Sequence, residues 1–180
     1  AHKLEILMGH NRGAEQIEVI VNAAARKNIP CVTFWAFSTE NWKREEKEVS
    51  MLFTVFRNLL SGPLVKRLLA NGVRLQILGD YKAFPNDIVK GLETLMEDSK
   101  HNTRITANIA LNYGGRGEIL QAVRNVVESA EEITEETFAN HLYTTGQPDP
   151  DMVIRTGGEQ RLSGFFPWQA VYSELYFTDT

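Results

Sequence analysis

The sequence is poor in cysteine, in membrane-length apolar runs and in net charge, and each shortage excludes something. A single cysteine, Cys31, rules out an internal disulfide and suits a reducing cytosol. No apolar stretch reaches membrane-spanning length and no secretory signal is recognisable, so any membrane contact is expected to be peripheral. Nineteen Lys and Arg stand against 23 Asp and Glu, a net charge of −4, which argues against general nucleic-acid binding. There is no internal repeat, low-complexity tract or linker. A nucleotide-binding α/β domain would need a glycine fingerprint after its first strand and an acidic residue after its second, and neither is present.

What remains is a chain of 180 residues with 43% hydrophobic side chains. A chain of this length suggests a single domain, residues 1–180, burying roughly 70% of its unfolded surface without staples. Short strands are expected over Lys3–Met8, Cys31–Phe37, Val73–Leu78, Arg104–Asn112 and Met152–Ile154. Helical spacing is expected from Ala14 to the Lys27–Pro30 turn, over Glu48–Leu60 and Leu64–Leu69 on either side of Gly62-Pro63, and over Asp87–Ser99. Two more helices follow, from Gly114–Gly117 to about Ala130 and over Glu135–Tyr143 with Thr134 as its N-cap. Strands alternating with helices indicate an α/β fold with a largely parallel central sheet. Cys31 lies in an apolar strand and reads as core, not nucleophile.

The densest chemistry lies in Met152–Phe177. A buried strand delivers Arg155 into the turn Gly157-Gly158, and Glu159, Arg161 and Ser163 follow. Two guanidiniums and a hydroxyl beside free glycine amides suit a doubly charged anion such as a diphosphate. Glu174 sits among aromatic residues, where a carboxylate needs a partner or a metal.

In open α/β sheets ligands bind beyond the carboxyl ends of the strands. Three polar loops are expected there: Gly9–Gly13 with His10 and Arg12, Ser38–Arg44 with Lys43 and Arg44, and Arg155–Ser163. Their convergence would make one anion site. Each also has a plainer reading. His10 can be a surface residue, although it precedes a helix whose N-terminus favours anions. Ser38 and Asn41 can form a capping turn. Trp42 in a polar loop is harder to dismiss. Gly114–Gly117 can cradle a phosphate or simply admit a helix at a packed interface, and Asp80, Asp149 and Asp151 read as turn formers. Leu52, Phe53 and Phe56 form a helical stripe that is ordinarily core. With Phe165, Phe166 and Trp168 near the anion loop, they can instead line an apolar cavity for an amphiphile such as an isoprenoid diphosphate.

Four blocks occur in order along the chain: AFSTENWKR (Ala36–Arg44), NIALNYGGR (Asn108–Arg116), PDPDMVIRTGGEQRLS (Pro148–Ser163) and WQAVYSELYFTD (Trp168–Asp179). In these the sequence resembles the cis-prenyltransferases over nearly its whole length, the bacterial undecaprenyl diphosphate synthase group in particular. The resemblance implies a single α/β domain with a hydrophobic tunnel beside the sheet. It also implies Mg²⁺, a homodimer, a cytoplasmic location and peripheral membrane contact through the product. The implied reaction adds isopentenyl diphosphate units to an allylic diphosphate, usually farnesyl diphosphate, forming cis double bonds and the precursor of the cell-wall lipid carrier. Arg155, Arg161 and Ser163 then match the isopentenyl diphosphate binders, and Glu174 a Mg²⁺ ligand offered across the dimer interface. Ser38 and Asn41 match the pair near the condensing carbon and the departing proton. Trp42 and Arg44 match substrate-positioning residues, His10 an assistant to the allylic diphosphate, and Leu52, Phe53 and Phe56 tunnel lining.

The chain departs from the pattern at one important place. The family carries an Asp-Gly-Asn-x-Arg-Trp motif after its first strand, and that Asp is its principal catalytic and Mg²⁺-binding residue. Here Met8 is followed at once by Gly9-His10, which implies a segment between them, a long mobile loop of the lid or binding type. The alternative is a true deletion, which leaves an inactive chain, a non-catalytic partner-binding homologue. The chain also stops at Thr180, short of the family's usual tail. Smaller departures are Glu45, Gly157 and Pro167, none of which removes a required group.

Overall fold

Three apolar, β-rich runs make the first sheet: β1 (Cys31–Trp35), β2 (Val73–Leu78) and β3 (Ile105–Ala110). In the computed structural model, which describes the backbone of residues 2–180 and the side chains of residues 13 and 15–180, they lie in the order β1-β3-β2. All pairs are parallel, as the near-continuous apolar pattern of β3 requires of a strand covered on both faces. Trp35 and Leu78 both stand beside Ala110, so the three strands end level. The Ala110 carbonyl accepts hydrogen bonds from the amides of Ala36 and Phe37 at 3.0 and 3.1 Å. The loops after β1, β2 and β3 therefore leave from one edge.

These strands belong to the first of two compact units, Ala1–Asn112 and Tyr113–Thr180. Helices α1 (His2–Arg26), α2 (Glu46–Ser61), α3 (Pro63–Ala70) and α4 (Asn86–Ser99) complete the first unit. Proline opens α3 at a position where its missing amide costs nothing, which is why Gly62-Pro63 divides one amphipathic stretch into two helices. One core cluster gathers Val21, Leu68, Val73, Leu75, Leu95 and Ile105. A second gathers Phe37, Leu52, Phe84, Ile88, Leu92 and Leu111 near the carboxyl ends of the strands. Each such side chain contributes about 1.5–3 kcal/mol on burial.

The second unit contains α5 (Gly115–Ser129), α6 (Glu135–Ala139), β4 (Met152–Arg155) and β5 (Glu174–Phe177), the last two forming a parallel pair. Its apolar cluster is Ala122, Phe138 and Leu142, with Ile119 and Trp168 against it. Thr134 caps α6 as the sequence predicts, accepting a hydrogen bond from the Thr137 amide. The helix stops at Ala139 and does not run on to Tyr143.

The N-terminal expectation is corrected. A strand over Lys3–Met8, a break at Gly9–Gly13 and a helix from Ala14 are predicted, yet α1 is one helix from His2 to Arg26. Lysine, leucine, glutamate and methionine are strong helix formers. With Met8 joined directly to Gly9, a glycine costing only about 1 kcal/mol does not stop the helix. Gly9–Gly13 is therefore not a loop beyond a strand, and the side chains of His10 and Arg12 lie outside the described residues.

Candidate active site

Within the first unit, Phe37 ends the apolar run after β1 and is fully buried. The chain then turns through a short 3-10 helix, Thr39–Lys43. Ser38 and Asn41 are brought together as its reciprocal cap. The Asn41 Oδ1 accepts from the Ser38 amide at 2.7 Å, and the Ser38 Oγ accepts from the Glu40 amide at 3.2 Å. The plain capping reading thus describes their geometry, and it fixes both side chains at the carboxyl end of β1. Arg44 follows the turn, exposed, with Glu48 Oε2 at 3.9 Å from its Nη1.

Trp42 is the residue that a polar loop does not explain, and its partners account for it. Its indole Nε1 donates to Asn112 Oδ1 at 2.7 Å, and Asn112 Nδ2 donates to the Asp80 carbonyl at 2.8 Å. Asn112 holds a left-handed backbone, φ +48°, which asparagine tolerates better than most residues. Gly79, at φ +111°, lies so close that a Cβ there would sit 2.2 Å from the Leu111 carbonyl oxygen. Asp80 thus contributes its backbone, in keeping with a turn role.

The Trp42 ring lies edge-on to Phe37, Phe53 and Phe84 at centroid distances of 5.3, 5.7 and 5.8 Å. Phe56 stacks on Phe84 at 5.8 Å, and Leu52 is buried in the same cluster. Leu52, Phe53 and Phe56 therefore share one aromatic cluster with Trp42, beside the Ser38–Asn41 cap.

In the second unit Arg155 closes β4. Its Nη1 donates to Ser163 Oγ at 2.8 Å and to the Arg161 carbonyl at 2.5 Å. The guanidinium of Arg161 is exposed and pairs with Glu159. Arg155, Arg161 and Ser163 are thus gathered on one loop. The glycine amides are not free, however. Gly157 N–H donates to the Thr180 carbonyl and Gly158 N–H to the Thr178 carbonyl, each at 3.0 Å, because the segment after β5 extends the β4–β5 pairing. Any anion here meets side chains, not that pair of amides.

The aromatic residues after the loop also differ from expectation. Phe166 is buried and stacks on Phe165 at 4.2 Å, and Trp168 packs on Phe138 at 4.4 Å. They fill the unit's own interior. Gly115 shows why: a Cβ there would sit 2.1 Å from Pro167 Cδ and 2.6 Å from the Gly164 oxygen. Gly114–Gly117 thus starts a helix at a packed interface, and Gly115 N–H donates to the Gly164 carbonyl at 2.9 Å.

Glu174 opens β5 and is exposed, so its carboxylate needs no buried partner. By register and alternation it shares a face with Met152, Ile154 and Tyr176, whose side chains are also exposed. Glu174 thus stands on an open, largely apolar face. Among the described residues no three His, Cys, Asp or Glu side chains gather to hold a metal. Mg²⁺ commonly takes only one or two carboxylates and completes its shell with water and phosphate oxygens, so Glu174 fits as one donor of such a shell.

Sequence reasoning singled out neither Asn112 nor Glu118. Asn112 ends an apolar strand run, where asparagine signals a left-handed turn. Glu118 falls on the buried stripe of α5 with Ala122 and Val126, where a glutamate is out of pattern.

Residues 1–180 match the prenyltransferase family described as "Putative undecaprenyl diphosphate synthase". An isoprenyl transferase of Neisseria gonorrhoeae is 46% identical over 174 residues, covering 96% of this chain and 70% of the relative. A farnesyl-diphosphate-specific ditrans,polycis-undecaprenyl-diphosphate synthase of Vibrio vulnificus is 41% identical over 179 residues, covering 96% and 71%. The crystal structure of a probable undecaprenyl diphosphate synthase from Campylobacter jejuni superposes with a TM-score of 0.84 at 31% identity, covering 96% of this chain and 80% of that one. Lavandulyl diphosphate synthase from Lavandula x intermedia, in complex with dimethylallyl diphosphate, superposes at 0.91 and 32% identity, covering 97% and 78%.

Proposed function

The chain belongs to the undecaprenyl diphosphate synthase family, and from that premise we propose that it lengthens an allylic diphosphate, farnesyl diphosphate, with isopentenyl diphosphate units in cis. The observation that carries this reading is the loop after β4, where Arg155, Ser163 and the exposed Arg161 stand together. Guanidinium forks and a hydroxyl match the oxygens of a diphosphate head.

In the reaction the allylic carbon–oxygen bond breaks and its electron pair leaves with diphosphate. The π pair of the isopentenyl unit forms the new carbon–carbon bond, and a proton is lost from the neighbouring carbon. Arg155, Arg161 and Ser163 hold the isopentenyl diphosphate head. Ser38 and Asn41, fixed by their mutual cap, stand by the condensing carbon and the departing proton. Trp42 and Arg44 orient the substrate, and His10 assists the allylic diphosphate. Leu52, Phe53 and Phe56 line the path of the growing apolar tail, a role their shared cluster with Trp42 supports. Glu174 would be one ligand of Mg²⁺, which when bound would stabilise the negative charge of the leaving diphosphate.

We infer that residues 1–180 belong to a single prenyltransferase domain, and that the principal Asp belongs to a segment between Met8 and Gly9 in the natural protein. The open face bearing Glu174 supports a homodimer. No helix among the described residues is long and apolar enough to cross a membrane, and the single cysteine suits the cytosol, with peripheral membrane contact through a product that feeds the cell-wall lipid carrier.

Intact mass with peptide mapping tests the missing segment. A mass above 20.4 kDa with an Asp-containing peptide after Met8 supports the enzyme reading. A mass equal to 20.4 kDa moves the protein to a non-catalytic, partner-binding role.

A further inference from the structure

Asn112 is buried just beyond β3, and both ends of its carboxamide are in use. Oδ1 accepts from Trp42 Nε1 at 2.7 Å, and Nδ2 donates to the Asp80 carbonyl at 2.8 Å. The partners fix the orientation of the amide. Turned over, it would set its NH2 against the indole N–H and its oxygen against the carbonyl. The mount beneath it is rigid. Leu111 N–H donates to the Leu78 carbonyl at 2.8 Å, and Phe37 N–H to the Ala110 carbonyl at 3.1 Å. The Gly79 backbone passes too close to Leu111 to admit a Cβ. Asn112 thus carries the position of the strand ends outward to Trp42.

The turn that holds Trp42 is shaped from within. Asn41 accepts from the Ser38 amide, Ser38 from the Glu40 amide, and Lys43 pairs with Glu40. These bonds set the form of the turn but not its place on the sheet. The indole bond leaves the turn and reaches a residue 70 positions away. The Trp42 ring also meets Phe37, Phe53 and Phe84 edge-on. Aromatic pairs tolerate centroid distances over about 4.5–7 Å, whereas an N–H···O bond holds within about 2.7–3.2 Å. The aromatic cluster therefore keeps the indole in the region, and Asn112 sets where it stands.

We propose that Asn112 is a positioning residue for the condensation step: through the Trp42 indole it fixes the place of the Ser38–Lys43 turn at the carboxyl end of β1, and so where Ser38 and Asn41 meet the reacting carbon. The inference rests on the condensation role proposed for that turn. Asn112 acts through Trp42 and needs no contact with substrate. Arg155, Arg161 and Ser163 hold the isopentenyl diphosphate head, so the loss of Asn112 falls on kcat.

Asn112→Gly removes both bonds and suits the φ of +48°. In the natural full-length protein it is expected to lower kcat about tenfold to a hundredfold, with the isopentenyl diphosphate KM held within about twofold. Added to Trp42→Phe, which keeps a ring but lacks the N–H, it is expected to cost little more, because both changes break one tie. Nitrogen-15 NMR of the indole groups gives a second readout. The Trp42 signal, identified by its loss in Trp42→Phe, is expected to move and to exchange faster with water in Asn112→Gly. Leu95→Ala, in the core of the first unit, is expected to lower the melting temperature yet leave kcat and the indole signal as in wild type.

Wild-type kcat in Asn112→Gly, a loss that Leu95→Ala reproduces, a full further loss on top of Trp42→Phe, or an unmoved indole signal overturns the proposal. Should Asn112→Gly not fold, Asn112→Ser decides in its place, since its hydroxyl stops where Asn112 has Cγ and reaches neither partner. A wild-type protein that incorporates no isopentenyl diphosphate refutes the condensation reading itself, and this inference with it; that failure is seen in wild type, not in the variant.

Discussion

Trp42 Nε1 donates to Asn112 Oδ1 at 2.7 Å, and the same side chain donates to the Asp80 carbonyl at 2.8 Å. One asparagine at the end of β3 therefore ties the loops after β1 and β2 together. Asn112→Ala removes both bonds, strands a partly buried indole N–H and puts a Cβ without side-chain compensation at φ +48°. It is expected to cost about 1–3 kcal/mol in urea unfolding. Asn112→Gly loses the same bonds without the backbone strain and is expected to be the more stable of the two by about 0.5–1 kcal/mol. Equal midpoints for the two variants would contradict the strained backbone.

Cys31 is half-buried, and its thiol is pushed up by burial, partly opposed by hydrogen bonds from Asn108 and Thr33. A raised thiol value leaves less thiolate at a given pH. Alkylation by iodoacetamide at about pH 8 is expected to be several-fold slower in the native protein than in urea, the pH lying near the free-thiol range. Native and unfolded rates that coincide would contradict a core role for Cys31.

The guanidinium fork of Arg155 is proposed to matter as a fork, not as a charge. Arg155→Lys is therefore expected to raise the isopentenyl diphosphate KM by roughly tenfold or more, with the farnesyl diphosphate KM held. Steady-state kinetics with each substrate varied in turn checks this. A lysine variant with wild-type KM would show that a point charge suffices.

The face holding Met152, Ile154, Glu174 and Tyr176 is proposed to meet a second copy. The native protein is then expected to sediment at twice the chain mass, and Ile154→Asp, which buries a charge at the interface, to shift it to one chain. Sedimentation equilibrium at micromolar concentration reads both. An Ile154→Asp protein that remains a dimer would place the interface elsewhere.

Much of this architecture is legible in the residues themselves. VRLQIL, closed by Gly79-Asp80, gives β2 with its true bounds, Val73–Leu78, because apolar alternation and a breaker coincide there. Gly62-Pro63 and Thr134 mark helix ends by chemistry that acts locally. The gathering of Arg155, Arg161 and Ser163 on one loop is legible because these groups are close in sequence. What escapes is non-local. The Gly157 and Gly158 amides look free until Thr178 and Thr180 return to pair with them. Trp42 looks unexplained until Asn112, 70 residues away, accepts its N–H. Lys3–Met8 has both helical and strand character, and local propensity carries it into α1 in the chain as joined. Glu118 is readable only as an acid out of place on an apolar stripe; its donors come from positions 113, 143 and 169.

The most direct test of the account is incorporation of labelled isopentenyl diphosphate into butanol-extractable polyprenyl diphosphate, with farnesyl diphosphate and Mg²⁺, by the natural full-length protein. The account predicts incorporation that stops on chelation, returns with Mg²⁺, and falls by about a hundredfold or more in Arg155→Ala. A protein of confirmed full length that binds diphosphate but incorporates nothing, with or without metal, would contradict the enzyme reading and leave the partner-binding homologue in its place.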